Sequence, residues 1–300
     1  MSRIEEALER ARREQQRPAE GGSGPPSGPL LPALIPTVPP PFRESTPPPD
    51  AQAESPRRQV RLDSKLIAAA GFGSPLGEEY RKLKERIVHM ARRGGSMNMF
   101  MVTSSVMGEG KTLVSANLAI SLAQEFDSTV LLVDADLRAP SSHLLFGVDT
   151  SPGLSECLLD NVPLSQALVP TGVGRLSFLP AGRQLQNPGE LFASSRMEIM
   201  LQEMKRRYSD RYIIIDTAPV LPFAETRILS RIVDGVLLVA RENMASVDGL
   251  RSTFEAIEGA NVLGVVYNDA SRVSWPSYPG YGDRYGLACG YGRRDHLGNP

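Results

Sequence analysis

Short apolar runs alternate with amphipathic stretches through the middle of the chain. Met99, Phe100, Met101 and Val102 form one run, and residues 130–133, 176–179, 212–215, 236–240 and 262–267 form five more. Runs of this length without polar alternation read as strands buried on both faces. Between them, apolar positions at helical spacing predict helices over 113–126, 141–146, 153–158, 225–232 and 246–258. A long helix is predicted to start at 187–190, with Pro188 suited to its first turn. This alternation predicts an α/β fold, a mostly parallel sheet covered by helices on both faces. Upstream, residues 76–93 read as a helix with Leu76, Tyr80, Leu83, Ile87 and Met90 on one face. The other face carries Glu78, Glu79, Arg81, Lys82, Lys84 and Arg86.

The two ends lack this pattern. Residues 2–16 read as a lone amphipathic helix, with Ser2 and Glu5 as a capping box and Ile4, Ala7, Leu8 and Ala11 on a narrow stripe. Such a helix is marginal alone, and is either a frayed terminus or an element that folds on a partner. Residues 17–60 hold 13 of the 25 prolines, the composition of a linker. Residues 271–300 are rich in glycine and contain Tyr278, Tyr281, Tyr285 and Tyr291, half of the eight tyrosines. The expected organisation is therefore a helix at 1–16, a linker at 17–60, one folded domain at 61–270 and a flexible tail at 271–300.

Composition narrows the class. With 41% apolar residues the chain can bury a core, and a net charge of −1 argues against a nucleic-acid binder. Cys157 and Cys289 offer no metal-site or disulfide spacing, as expected in a reducing cytoplasm. The N-terminus is charged and carries no secretory signal, and no apolar run approaches the length of a membrane span. Membrane association is expected only through a partner.

The chemistry centres on residues 98–112. After the run ending at Val102 comes a loop with Gly108 and Gly110, and Lys111-Thr112 opens the next helix. Strand, glycine loop, Lys-Thr and helix form the context of a phosphate-binding loop. Its backbone N–H groups and helix N-terminus face phosphate oxygens, Lys111 reaches the β/γ-phosphates, and Thr112 ligates Mg²⁺. Ser105 stands where the pattern asks for glycine. Two further strand ends are acidic. Asp216 closes the run at 212–215 and suits Mg²⁺ or its waters, while Asp134-Ala-Asp136 follows 130–133. A D-x-D after a strand also makes a local turn, but three such strand ends in one domain point to a nucleotide-phosphate site. Water as nucleophile would make an ATPase, and a protein hydroxyl a kinase. The tail tyrosines supply hydroxyls on a tether that reaches roughly 100 Å when extended.

Several of these segments resemble the bacterial tyrosine kinases of exopolysaccharide systems, and most closely their exosortase-associated autokinases. SSVMGEGKT resembles the family's Walker A, VLLVDADLR its Walker A′ and IIIDTAP its Walker B. EEYRKLK resembles its self-association helix, and LPAGRQLQNPGELFASSRM the stretch before its long helix. MSRIEEALERA with the following prolines is similar to the exosortase-linked subgroup. The resemblance implies a P-loop NTPase of the deviant-Walker type that uses ATP and Mg²⁺ to phosphorylate Tyr278, Tyr281, Tyr285 or Tyr291 in trans. Carried over by position, the nucleotide set is Ser105, Met107, Gly108, Glu109, Gly110, Lys111, Thr112, Leu113, Arg138 and Asn268. Thr112, Asp134 and Asp216 hold the metal, and Lys111, Asp134, Asp136 and Asp216 are catalytic. Asp134 or Asp136 assists deprotonation of the phenol. Glu78, Glu79 and Arg81 serve self-association in a ring-like homo-oligomer, with an octamer as the candidate form. A separate transmembrane protein that controls polysaccharide chain length is the implied partner, with no nucleic acid involved. Lys84, Arg86 and Ala218 depart from the commoner family residues. The competing readings are a ParA/MinD-like positioning ATPase and a nucleotide-binding scaffold of a secretion complex. The former carries an additional lysine early in the loop, where this chain has Val106.

Overall fold

The computed structural model describes residues 60–270, apart from 71–74, 94, 96, 126–127 and 208–210. The predicted helix at 2–16, the linker and the tail tyrosines lie outside these residues.

A seven-stranded sheet runs β3-β4-β2-β5-β1-β6-β7. The strands are β1 (Met99–Ser104), β2 (Thr129–Asp134), β3 (Val169–Pro170), β4 (Leu176–Leu179), β5 (Arg211–Asp216), β6 (Gly235–Arg241) and β7 (Val262–Asn268). All pairings are parallel except β3 with β4. The six predicted strands are all present. β3, two residues ending in proline at the sheet edge, has too little pattern to be foreseen.

Helices cover both faces. On one lie α1 (Pro75–Arg93), α2 (Lys111–Ala123) and α3 (Ser142–Phe146), and Ile87, Leu118, Ile120, Phe146 and Phe178 are fully buried among them and the sheet. On the other, α4 (Leu154–Leu159), α6 (Gly189–Phe192), α7 (Ser195–Arg207) and α8 (Ala224–Ser230) meet Leu131, Val133, Ile213 and Ile215. α5 (Leu164–Ala167) and α9 (Val247–Ala256) complete the set. The side chains of β1 are buried throughout, as a central strand between two helical layers requires.

Three expectations need correction. The long helix predicted from 187–190 is two helices, and Pro188 precedes the first of them as its cap residue. The break falls at Ala193-Ser194, where Ser194 Oγ accepts from Met197 N and caps α7. Leu76 is 54% exposed and does not join the packed face of α1. Lys84 leaves the solvated face, because its ammonium pairs with Glu125 at 3.1 Å and its side chain is 14% exposed.

The N-terminus of α4 is held by a close backbone approach. Leu154 N donates to Pro180 O at 2.8 Å and Ser155 N to Ala181 O at 2.9 Å, with Gly153 between these segments. A Cβ on Gly153 would stand 2.3 Å from both Pro180 O and Gly182 N. Gly153→Ala is therefore expected to cost about 3 kcal/mol and to lower Tm by roughly 10 °C, as measured by calorimetry.

Candidate active site

β1 and β5 are adjacent in the sheet but far apart in the chain, because the chain crosses from β1 to β2 and later inserts β5 between them. The carboxyl ends of parallel strands at such a crossing are where ligands bind in open α/β sheets. Register places Val102 of β1 beside Asp216 of β5, and Asp216 beside Asp134 of β2. The three turns singled out in the sequence thus stand side by side.

The loop at 105–110 is shaped by its own residues. Gly108 and Gly110 have φ of +85° and +93°, a region open to glycine at little cost. A Cβ on Gly110 would lie 2.1 Å from Asn268 Nδ2. Asn268 stands behind the loop and donates to Glu109 O at 2.9 Å, while the Arg241 guanidinium donates to Gly108 O at 3.3 Å. The Glu109 side chain, fully buried, folds back so that Oε2 accepts from Val106 N at 2.8 Å. Segment 217–221 seals the inner side, with Val220 N on Ser104 O at 2.8 Å and Leu221 N on Ser105 O at 3.2 Å. Ala218 is buried in this turn. Its carbonyl accepts from Thr103 Oγ1 and Thr226 Oγ1, both at 2.9 Å.

Lys111 opens α2 and reaches Asp136 Oδ2 at 2.8 Å. Burial draws the ammonium pKa down, but Asp216, Asp136 and Asp134 outweigh it and leave Lys111 raised. Asp134 is pushed up to about 7, first by burial and then by the charge of Asp216, although Asp136 N and Ser142 N both donate to it. Asp216 is also raised by burial, opposed by Lys111 and by a hydrogen bond from the Thr112 side chain. Ser142 joins the two carboxylates, its N on Asp134 Oδ2 at 3.1 Å and its Oγ on Asp216 Oδ2 at 3.0 Å. Ser115 Oγ lies 3.2 Å from Asp216 Oδ1. Asp136 also accepts from Ala139 N at 3.1 Å, so the D-x-D is both a local turn and part of the charged cluster.

The donor set suits a magnesium–triphosphate. Buried Ser105 Oγ and Glu109 Oε1 lack hydrogen-bond partners at the loop. Among the described residues no three acidic, His or Cys side chains form a ready-made ion cage.

Of the sequence candidates, Lys111, Thr112, Asp134, Asp136 and Asp216 converge, and Ser105, Met107, Gly108, Glu109 and Gly110 form the loop. Leu113 is partly buried against the core of the α1–α2 face. Arg138 is engaged elsewhere, paired with Glu225, donating to Gln186 O and lying 4.5 Å over the Phe223 ring. Glu78 and Arg81 pair on the exposed surface of α1, as do Glu79 and Lys82. Ser115, Ser142 and Arg241 were missed. The serine after Asp216's neighbour strand and the arginine ending β6 carry no local motif, and only the fold brings them in.

Residues 98–262 match the AAA domain family. Tyrosine-protein kinase YwqD of Bacillus subtilis is 31% identical over 229 residues, which cover 76% of this chain and 95% of that protein. The chain belongs to the bacterial tyrosine-protein kinase family. Another member, putative tyrosine-protein kinase EpsB of Ralstonia solanacearum, is 35% identical over 223 residues. The chain matches 74% of its own length there but only 29% of EpsB. Among solved structures, the chimerical protein CapA2B2 aligns with a TM-score of 0.65 and 29% identity over 71% of this chain and 93% of that one. The kinase domain of the Escherichia coli tyrosine kinase ETK aligns with a TM-score of 0.57 and 33% identity, covering 63% of this chain and 74% of that one. No helix among the described residues is long and apolar enough to cross a membrane.

Proposed function

We propose that the chain is an ATP-dependent protein-tyrosine autokinase that transfers the γ-phosphoryl group to Tyr278, Tyr281, Tyr285 or Tyr291 in trans within a homo-oligomer. The convergence of Lys111 with Asp134, Asp136 and Asp216 carries this reading. ATP with Mg²⁺ supplies the transferable group when bound. Lys111 holds phosphate oxygens, Thr112 and Asp216 hold the metal or its waters, and the loop N–H groups orient the triphosphate. Lys111 and Asp136 are paired, so a phosphate that takes the ammonium frees the Asp136 carboxylate. Asp136, less enclosed than Asp134, then accepts the phenol proton as the oxygen attacks. The motif resemblance to the kinases of exopolysaccharide systems supports a role in polysaccharide export beside a separate transmembrane chain-length protein. Recruitment to the inner membrane face, the exosortase-linked subgroup and a ring-like assembly through Glu78, Glu79 and Arg81 belong to the same reading. With Lys84 tied to Glu125, Glu78, Glu79, Arg81 and Lys82 are the charges of that motif left on the surface.

The test is incubation of the full chain with ATP and Mg²⁺, followed by mapping of phosphate by mass spectrometry. Label on the tail tyrosines is expected. ATP turnover without label would assign a positioning ATPase, and neither would assign a scaffold.

A further inference from the structure

The rim of the phosphate loop carries apolar surface that a triphosphate has no use for. Val106 and Met107 are 37% and 61% exposed, and Met244 is 43% exposed. Met244 follows β6 and lies against the loop, since a Cβ on Gly108 would stand 3.2 Å from its Cε. Its turn is anchored there. Met244 N and Ala245 N both lie 3.1 Å from Arg241 O, and the Arg241 guanidinium holds Gly108 O and Asp269. Phosphate oxygens and Mg²⁺ are served by N–H groups, an ammonium and carboxylates, to which thioethers and a branched aliphatic side chain add nothing. We propose that Val106, Met107 and Met244 form a platform for the ring of an acceptor tyrosine from residues 271–300 of a second copy, its hydroxyl turned into the site. The proposal rests on the kinase reading above and names where its substrate sits.

The chain itself argues for this occupant. β7 ends at Asn268, bonded to Glu109 O, and Asp269 pairs with Arg241. The last thirty residues therefore start at the edge of the loop, and roughly 100 Å of extended chain spans to a neighbouring copy. Tyr281 and Tyr291 lie between glycines, Tyr285 precedes one, and Tyr278 sits between Ser277 and Pro279. None has an adjacent aliphatic residue, so the ring is the apolar anchor each has to offer. Methionine is unbranched and polarizable, and suits rings that arrive in differing contexts. Residues 271–300 carry Arg272, Arg284, Arg293 and Arg294 against Asp283 and Asp295. That excess is opposite in sign to the aspartates of the site.

The experiment uses two full-length proteins. The enzyme carries phenylalanine in place of Tyr278, Tyr281, Tyr285 and Tyr291, and the acceptor is Lys111→Met, so all label arises between copies. Met244→Gln, close in size to the original, is placed in the enzyme. It is expected to raise KM for the acceptor about 3- to 10-fold, with the affinity for a fluorescent ADP analogue unchanged and Met244→Leu restoring KM. Unchanged KM overturns the platform. Loss of nucleotide affinity in the Met244→Gln variant also overturns it, assigning the surface to the adenine. Absence of label from the unsubstituted enzyme brings down the kinase reading first, and the platform with it.

Discussion

Lys111→Met is expected to cut tyrosine label on residues 271–300 by at least about 100-fold, the scale of removing one preorganised donor from a transition state. Methionine keeps the apolar stem but loses the charge that lies 2.8 Å from Asp136. Two effects then act together. The β/γ-phosphates lose their cation as charge builds between the attacking and leaving oxygens. The carboxylates of Asp134, Asp136 and Asp216 lose the ammonium that offsets their mutual repulsion. Asp136 loses the partner that holds its carboxylate in place, so acceptor activation falls along with phosphate binding. The fold should survive, because the stem still packs at the start of α2. Unchanged far-UV circular dichroism with label lost is the expected pair of results. Retained label would exclude Lys111 from phosphate contact.

Much of this site could be read from the sequence because strands buried on both faces leave unmistakable apolar runs. The polar residue that ends such a run, as at Asp134 and Asp216, lies at the carboxyl end of its strand, where ligands bind. What escaped detection depends on contacts between distant segments. Ser142 joins Asp134 to Asp216 from α3, and Arg241 braces the loop from β6, with no local pattern to mark either. Glu109 stands in a glycine loop, yet its carboxylate turns back to cap Val106 N, a conformation that composition does not encode. Two misreadings had usable signals. Lys84 shares a helical stripe with Val88 and Ala91, both buried, so the packed face of α1 was wider than its larger side chains implied. Ser194 is a good helix cap, and its place in the chain marks the break between α6 and α7.

The stability of the metal-free protein should fall as pH rises from about 4 to about 7, and Asp134→Asn should flatten that fall. Asp134 has a model-peptide pKa of 3.8, and burial followed by the Asp216 charge pushes it up to about 7 in the fold. Between those values the folded state binds more protons than the unfolded one, so stability declines with increasing pH. The contribution is fully present below pH 3.8 and is lost as pH passes through about 7. Asparagine cannot ionise, but its amide group faces one of the two backbone donors, Asp136 N or Ser142 N. The variant should therefore be less stable than the unsubstituted chain near pH 4, by about 1–2 kcal/mol for the lost hydrogen bond. Towards pH 8 the difference should shift in the variant's favour by an amount on the order of 2–4 kcal/mol, which closes the gap and reverses it, because only the unsubstituted chain then buries this charge. Removing the Asp134 charge also eases ionisation of Asp216, which deepens the flattening. Urea unfolding at a series of pH values, with chelator present, measures both curves. Parallel curves would mean that Asp134 is ionised across the whole range, held so by its two backbone donors despite its burial.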